Sequence, residues 1–201
     1  MVGLLQASFS LMQFLFAPFW GRLSDQIGRK PVILIGLFGS AVCYTIFGLA
    51  SSLTVLFIAR ILAGIAGANI ATAQAYMADV TTPENRAKGM GMVGAAFGLG
   101  FIFGPAIGGA LSGFGPSVPP LFAGALSLAN FVAAWFILPE SRARGTGAAR
   151  PKVSRLQAFS AAVTRPGLPQ LLLIFFLVTA AFSSFEATFA LFGERQFGFT
   201  P

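Results

Sequence analysis

Long apolar runs alternate with short polar breaks along nearly the whole chain. Six such runs, at about 2–20, 32–50, 53–77, 87–111, 121–138 and 168–192, each approach the ~20 residues that an α-helix needs to cross hydrocarbon. A spanning segment must satisfy its own backbone polar groups, and runs of this length do so as helices. The pattern predicts an all-α, polytopic transmembrane helical bundle. Between residues 139 and 166 the apolar pattern lapses into Arg, Gly, Ala and Pro, and this stretch is expected to be a central loop. It separates a first region, 1–138, from a last one, 167–201. Leu156, Phe159 and Val163 recur at helical spacing inside the loop, which suits either a short helix on the membrane surface or plain linker.

Composition agrees with the pattern. The chain is 56% hydrophobic and 9% charged, against about 25% charged in an ordinary globular domain. Its net charge of +7 would suit a nucleic-acid binder only if the cations formed a face on a soluble fold. They lie in short loops instead, so nucleic acid is excluded and the lipid bilayer is the expected partner. Histidine is absent and Cys43 is the single cysteine, which removes the usual zinc, iron–sulfur and His-based catalytic arrangements. No metal, cofactor or catalytic residue is expected, and the chain is not read as an enzyme.

The cations also set an orientation. Arg22, Arg29 and Lys30 follow the first run, Arg86 and Lys88 the third, and Arg142, Arg144, Arg150, Lys152, Arg155 and Arg165 the fifth, while the loops at 51–52 and 112–120 carry none. Alternate loops are therefore expected on the cytoplasmic side, with both chain ends outside. A multi-span chain that starts on the outer side with no earlier helix is expected to be a fragment of a larger bundle.

Polar residues inside the runs mark candidate chemistry. Arg60, Gly64, Gly67, Ala71, Gln74 and Ala78 share one helical face; Gln6, Ser10, Gln13 and Ala17 share another, and Thr179, Ser183, Glu186, Ala190 and Gly193 a third. A charged side chain well inside a span costs at least about 2.5–3.5 kcal/mol on insertion scales unless paired or wetted. Arg60 and Glu186 are for that reason candidates for a substrate or proton pathway, with Gln13, Asn69 and Gln74 beside them. The competing structural role is snorkelling for Arg60 and interhelical hydrogen bonding for the amides.

Two further stretches stand out. Residues 21–31, Gly-Arg-Leu-Ser-Asp-Gln-Ile-Gly-Arg-Lys-Pro, are expected to form a tight cytoplasmic hairpin, with Gly21 and Gly28 supplying bends and Pro31 the first turn of the next helix. The fourth run is a glycine ladder in which Gly100, Gly104 and Gly108 form overlapping GxxxG pairs and Pro105 permits a bend. Its Gly89-Met-Gly91-Met-Val-Gly94 formally matches a dinucleotide signature, but no strand precedes it and no acid follows at the needed distance, so it is not read as a nucleotide site.

Together these stretches resemble the major facilitator superfamily, and specifically its drug/proton antiporters of the tetracycline and multidrug type. The segment 21–31 is similar to the signature between helices two and three, Arg60 with Gly64 to the fourth-helix motif, and Gly100, Gly104, Pro105, Gly108 and Gly109 to the fifth-helix antiporter motif. Residues 76–88 resemble the loop between the fourth and fifth helices, and Pro139-Glu140-Ser141 the close of the sixth. The resemblance implies a partial major facilitator fold, with six spans, helices two to seven, of an expected twelve. It implies a membrane transporter for a small-molecule substrate, exchanging drugs or metabolites for protons by alternating access, in the cell membrane, completed by the missing helices. Gly21, Asp25, Gly28, Arg29 and Asp79 would form a cytoplasmic gate. A facilitator or symporter for sugars or other metabolites, and a truncated inactive remnant, stand as alternatives.

Overall fold

The computed structural model describes the backbone of residues 2–141, 160 and 163–197, and the side chains of these except 2, 186, 187 and 189–197. Every regular element among them is a helix. The chain divides into two compact units, residues 1–147 and 148–201.

The first unit holds α1 (Val2–Ile27), α2 (Arg29–Gly48), α3 (Leu53–Gly67), α4 (Ile70–Val80), α5 (Arg86–Ser112) and α6 (Val118–Ile137). Of these, α2, the α3–α4 pair, α5 and α6 are long and apolar enough to cross a membrane. At 26 residues α1 is also long enough, and its polar residues Gln6, Ser10 and Gln13 fall along one face. The packing centre is α2, which lies against α6, α3 and α1, while α3 also lies along α1.

Small residues make these approaches possible. A Cβ at Gly64 would overlap the Phe9 carbonyl oxygen on α1, and one at Gly124 on α6 would sit 3.0 Å from Thr45 Oγ1 on α2. Helices in lipid gain little from apolar burial against one another, so close backbone contact and its dispersion energy take over. The buried apolar residues reflect this, with the five alanines Ala41, Ala59, Ala63, Ala66 and Ala68 beside Val32, Leu34, Cys43 and Tyr76.

The third run differs from expectation. It is not one uninterrupted helix but two, α3 and α4, broken at Ala68 and Asn69, whose ψ angles are 5° and 0°. Such angles replace the i→i−4 ladder with tighter bonds, here from the Ala68 N–H to the Ile65 carbonyl and from the Thr72 N–H to the Asn69 carbonyl. Gly67 lowers helix propensity just before the break, and Asn69 disfavours a helix interior.

The hairpin expected at 21–31 is also shorter than the sequence suggests. Helix α1 continues through Gly21 to Ile27, and Gly28 alone separates it from α2. Gly21 therefore makes no bend; its carbonyl accepts a hydrogen bond from Ser24 Oγ within the helix. Gly28 makes the whole turn with a φ of 105°, a conformation that glycine adopts without a Cβ penalty.

The second unit contributes α7 (Leu168–Phe197), 30 residues long, which starts just after Gly167 at a φ of 81°. Its residues 171–178 are apolar and exposed all round, as in a helix made to meet lipid or other helices. The expected surface helix at Leu156 and Phe159 lies outside the described residues.

Candidate functional site

Two polar sites lie in the first unit. One is at the α1–α2 turn, where the N-terminus of α2 leaves backbone N–H groups that no intrahelical carbonyl can reach. Pro31 has no N–H to satisfy, and Glu140, just beyond α6, takes the two before it. Its Oε1 accepts from the Arg29 N–H at 2.9 Å and its Oε2 from the Lys30 N–H at 3.2 Å. A carboxylate at a helix N-terminus also meets the positive end of the helix dipole. Lys30 Nζ completes the link by donating to the Trp135 carbonyl of α6 at 2.8 Å. A Cβ at Gly28 would overlap this carboxylate, a second reason for glycine there.

The Arg29 side chain, 8% exposed, turns the other way and gathers Ser24, Asp25 and Asp79. Its Nη2 lies 2.9 Å from Asp25 Oδ1 on α1 and its Nε 3.0 Å from Asp79 Oδ2 on α4. Its Nη1 donates to Ser24 Oγ. One guanidinium thus ties the end of α1 to the end of α4, and its planar fork suits several acceptors at once. Asp25, Gly28, Arg29 and Asp79 converge, then, while Gly21 stands one turn back inside α1. In the α4–α5 connection, the Glu84 carboxyl is held below the usual carboxylate range by its own backbone N–H and by the Thr82 hydroxyl.

The second site lies along the α1–α3 seam, where two of the polar stripes face each other. Arg60 Nη2 donates to Gln6 Oε1 at 3.2 Å, and its Cζ is 5.3 Å from the ring centroids of both Phe9 on α1 and Phe47 on α2. Its Nε is buried with no hydrogen-bond partner. Further along, Gln13 Nε2 donates to the Gly67 carbonyl at 3.2 Å and Trp20 Nε1 to the Ile65 carbonyl at 2.6 Å. These two donors serve carbonyls at the helix break, which hydrocarbon could not satisfy. Asn69 lies at the break, its side-chain amide against Gly36 of α2.

The remaining expected residues stand apart from both sites. Gln74 is exposed on α4. Glu186 is part of α7, and its side chain lies outside the described residues. Gly100, Gly104, Gly108 and Gly109 have no atom within 4 Å of an added Cβ among the described residues, and Pro105 stands among them in α5. A shallow apolar cavity of about 430 Å³ on that helix is lined by Ala96, Phe97, Gly100 and Phe101.

Glu140, Ser24 and Trp20 belong to these sites but are not prominent in the sequence. For Glu140 the available signal is a lone acid directly after a span, among only six acidic residues in the chain. Nothing in the spacing marks Trp20, because its partner is a carbonyl made available by a break in another helix.

The sequence matches the family model of the Major Facilitator Superfamily over residues 1–201. It is 38% identical to Multidrug resistance protein 2 of Bacillus subtilis, over 100% of this chain and 51% of that protein. It is 36% identical to the class E Tetracycline resistance protein of Escherichia coli, over 97% of this chain and 49% of that protein. The structure is similar to that of the human organic anion transporter MFSD10 (TETRAN), with a TM-score of 0.78 and 29% identity, covering 98% of this chain and 50% of that one. The chain thus spans about half the length of the curated relatives it matches. With apolar helices able to cross a bilayer, a helix broken where its neighbour supplies the hydrogen bonds, and a match along its whole length, this multi-pass membrane chain belongs to the major facilitator superfamily, a family of transporters.

Proposed function

We propose that the chain forms most of one half of a proton-coupled exporter of drugs or small metabolites in the plasma membrane, working by alternating access with further helices. The observation that carries this reading is Arg60, a cation held between α1, α2 and α3 within a span. Its surroundings are two aromatic rings and an amide, a setting that suits binding and release better than permanent structure. The relatives named for multidrug and tetracycline resistance point to drugs as the substrate class.

In this reading, Arg60 favours the ionised form of a carboxyl group brought near it, so that proton and substrate compete along the α1–α3 seam. Gln13 and Asn69 sit at the helix break, where a change in α4 would be felt first. The Asp25–Arg29–Asp79 cluster holds the cytoplasmic ends of α1 and α4 together in one state and lets them part in the other.

Inverted membrane vesicles from cells expressing the chain together with the complementary helices, energised to an acid interior, test the reading. Addition of a tetracycline or a cationic dye is expected to release protons from the vesicles, and Arg60→Ala to abolish that release. Drug-independent proton retention in vesicles that contain the folded chain and the complementary helices would contradict it.

A further inference from the structure

The Arg60 environment contains donors without matching acceptors. A guanidinium has five N–H groups, and Gln6 Oε1 is the one hydrogen-bond acceptor Arg60 meets among the described residues. Its buried Nε has no partner. Both ion pairs formed by the described residues belong to Arg29, so Arg60 has no counter-charge among them. With its carbonyl oxygen engaged by Arg60, the Gln6 side chain presents its NH₂ as a further donor, and Gln6 is exposed while Arg60 is half-buried. The site is therefore reachable, positively charged and rich in donors.

Its walls narrow the choice of anion. Phe9 and Phe47 place apolar rings 5.3 Å from the guanidinium carbon. A strongly hydrated inorganic anion would lose its water there without replacement, whereas a carboxylate on an apolar body would put its oxygens on the guanidinium edge and its body against the rings.

We infer that Arg60, Gln6, Phe9 and Phe47 form a subsite for the carboxylate of an apolar organic acid, which makes carboxylate-bearing solutes a substrate class of this chain. The inference rests on the transport reading for its biological use, but the site itself is tested by binding alone. A carboxylate could reach Arg60 either on such a solute or on an acidic side chain of a further helix, and the two sources separate experimentally.

Radiolabelled benzoate is titrated against the purified chain in detergent and against membranes that hold it together with the complementary helices, with benzamide as the neutral competitor of the same shape. Saturable benzoate binding in both preparations is expected, with benzamide weaker by about tenfold or more. Arg60→Gln is expected to weaken benzoate by a similar factor, with Arg60→Lys intermediate because it keeps the charge and loses the fork. The benzamide comparison needs only the wild-type chain and so stands even if a variant fails to fold. Equal binding of the two compounds, or full benzoate affinity in a folded Arg60→Gln chain, overturns the subsite. Benzoate binding to the purified chain but not in membranes that hold it together with the complementary helices assigns the position to a side chain and overturns the solute. Arg60-dependent binding without drug-driven proton release would leave the subsite in place and remove the exporter reading.

Discussion

The α1–α2 corner and the glycine face of α5 are built on opposite plans. At the corner, one buried arginine, two aspartates, a serine and a helix-capping glutamate join α1, α2 and α4 to the end of α6 within hydrogen-bond distance. Along α5, Gly91, Gly94, Gly98, Gly100, Gly104, Gly108 and Gly109 would each accept a Cβ without touching anything among the described residues. Both stretches are glycine-marked in the sequence, yet glycine does different work in each. Gly28 is required by its backbone angle and by the carboxylate beside it, whereas these α5 glycines leave a smooth surface that no other helix of the first unit covers. In this structure the corner is closed by ion pairs, whereas these α5 glycines meet no other helix of the first unit.

That contrast can be broken by substitution. The largest effect is expected for Arg29→Ala, which leaves Asp25 and Asp79 without their shared cation. Removing one partner of a wholly buried pair costs about 3–5 kcal/mol, and because these aspartates are 34% and 32% exposed solvent screening reduces the expected loss to roughly 2–3 kcal/mol. Unfolding in mixed micelles of increasing SDS fraction would measure it. Gly28→Ala comes next, at about 2 kcal/mol, from left-handed strain and displacement of Glu140; faster hydrogen exchange at the Arg29 and Lys30 amides would accompany the lower unfolding midpoint.

Gln13→Leu should cost less, about 0.5–1 kcal/mol, the usual worth of a hydrogen bond between membrane helices. Its signature is local, with faster exchange at amides 68–72 around the break and little change at the corner. The smallest effect belongs to Gly104→Ala. Since nothing among the described residues lies near that position, the unfolding midpoint of the chain should not fall, and a drop comparable to that of Gly28→Ala would erase the distinction between the two regions.

The spans were legible from the sequence because length and hydropathy decide them, and the family because its motifs are short and ordered. Arg29 and Asp79 were singled out together through the resemblance, and the structure pairs them. The break at Ala68–Asn69 was only partly legible: Gly67 and Asn69 are weak helix formers, but the side-chain donors to the Gly67 and Ile65 carbonyls, Gln13 and Trp20, lie some fifty residues earlier in sequence, where local propensity cannot register them. Gly21 misled for the opposite reason. In isolation it reads as a turn signal, but the residues after it, Arg-Leu-Ser-Asp-Gln-Ile, tolerate helix well enough to carry α1 one and a half turns further. The role of Glu140 was hidden because a helix N-terminus attracts an acid from anywhere in the fold.

A double-mutant cycle between Arg29→Ala and Asp79→Asn, read by reversible unfolding in mixed micelles, tests the ion-paired closure of this corner most directly. If one guanidinium binds α1 to α4, the double variant should be less destabilised than the sum of the singles, by roughly 1–2 kcal/mol. Losses that simply add would contradict it, because α1 and α4 would then end side by side without being joined.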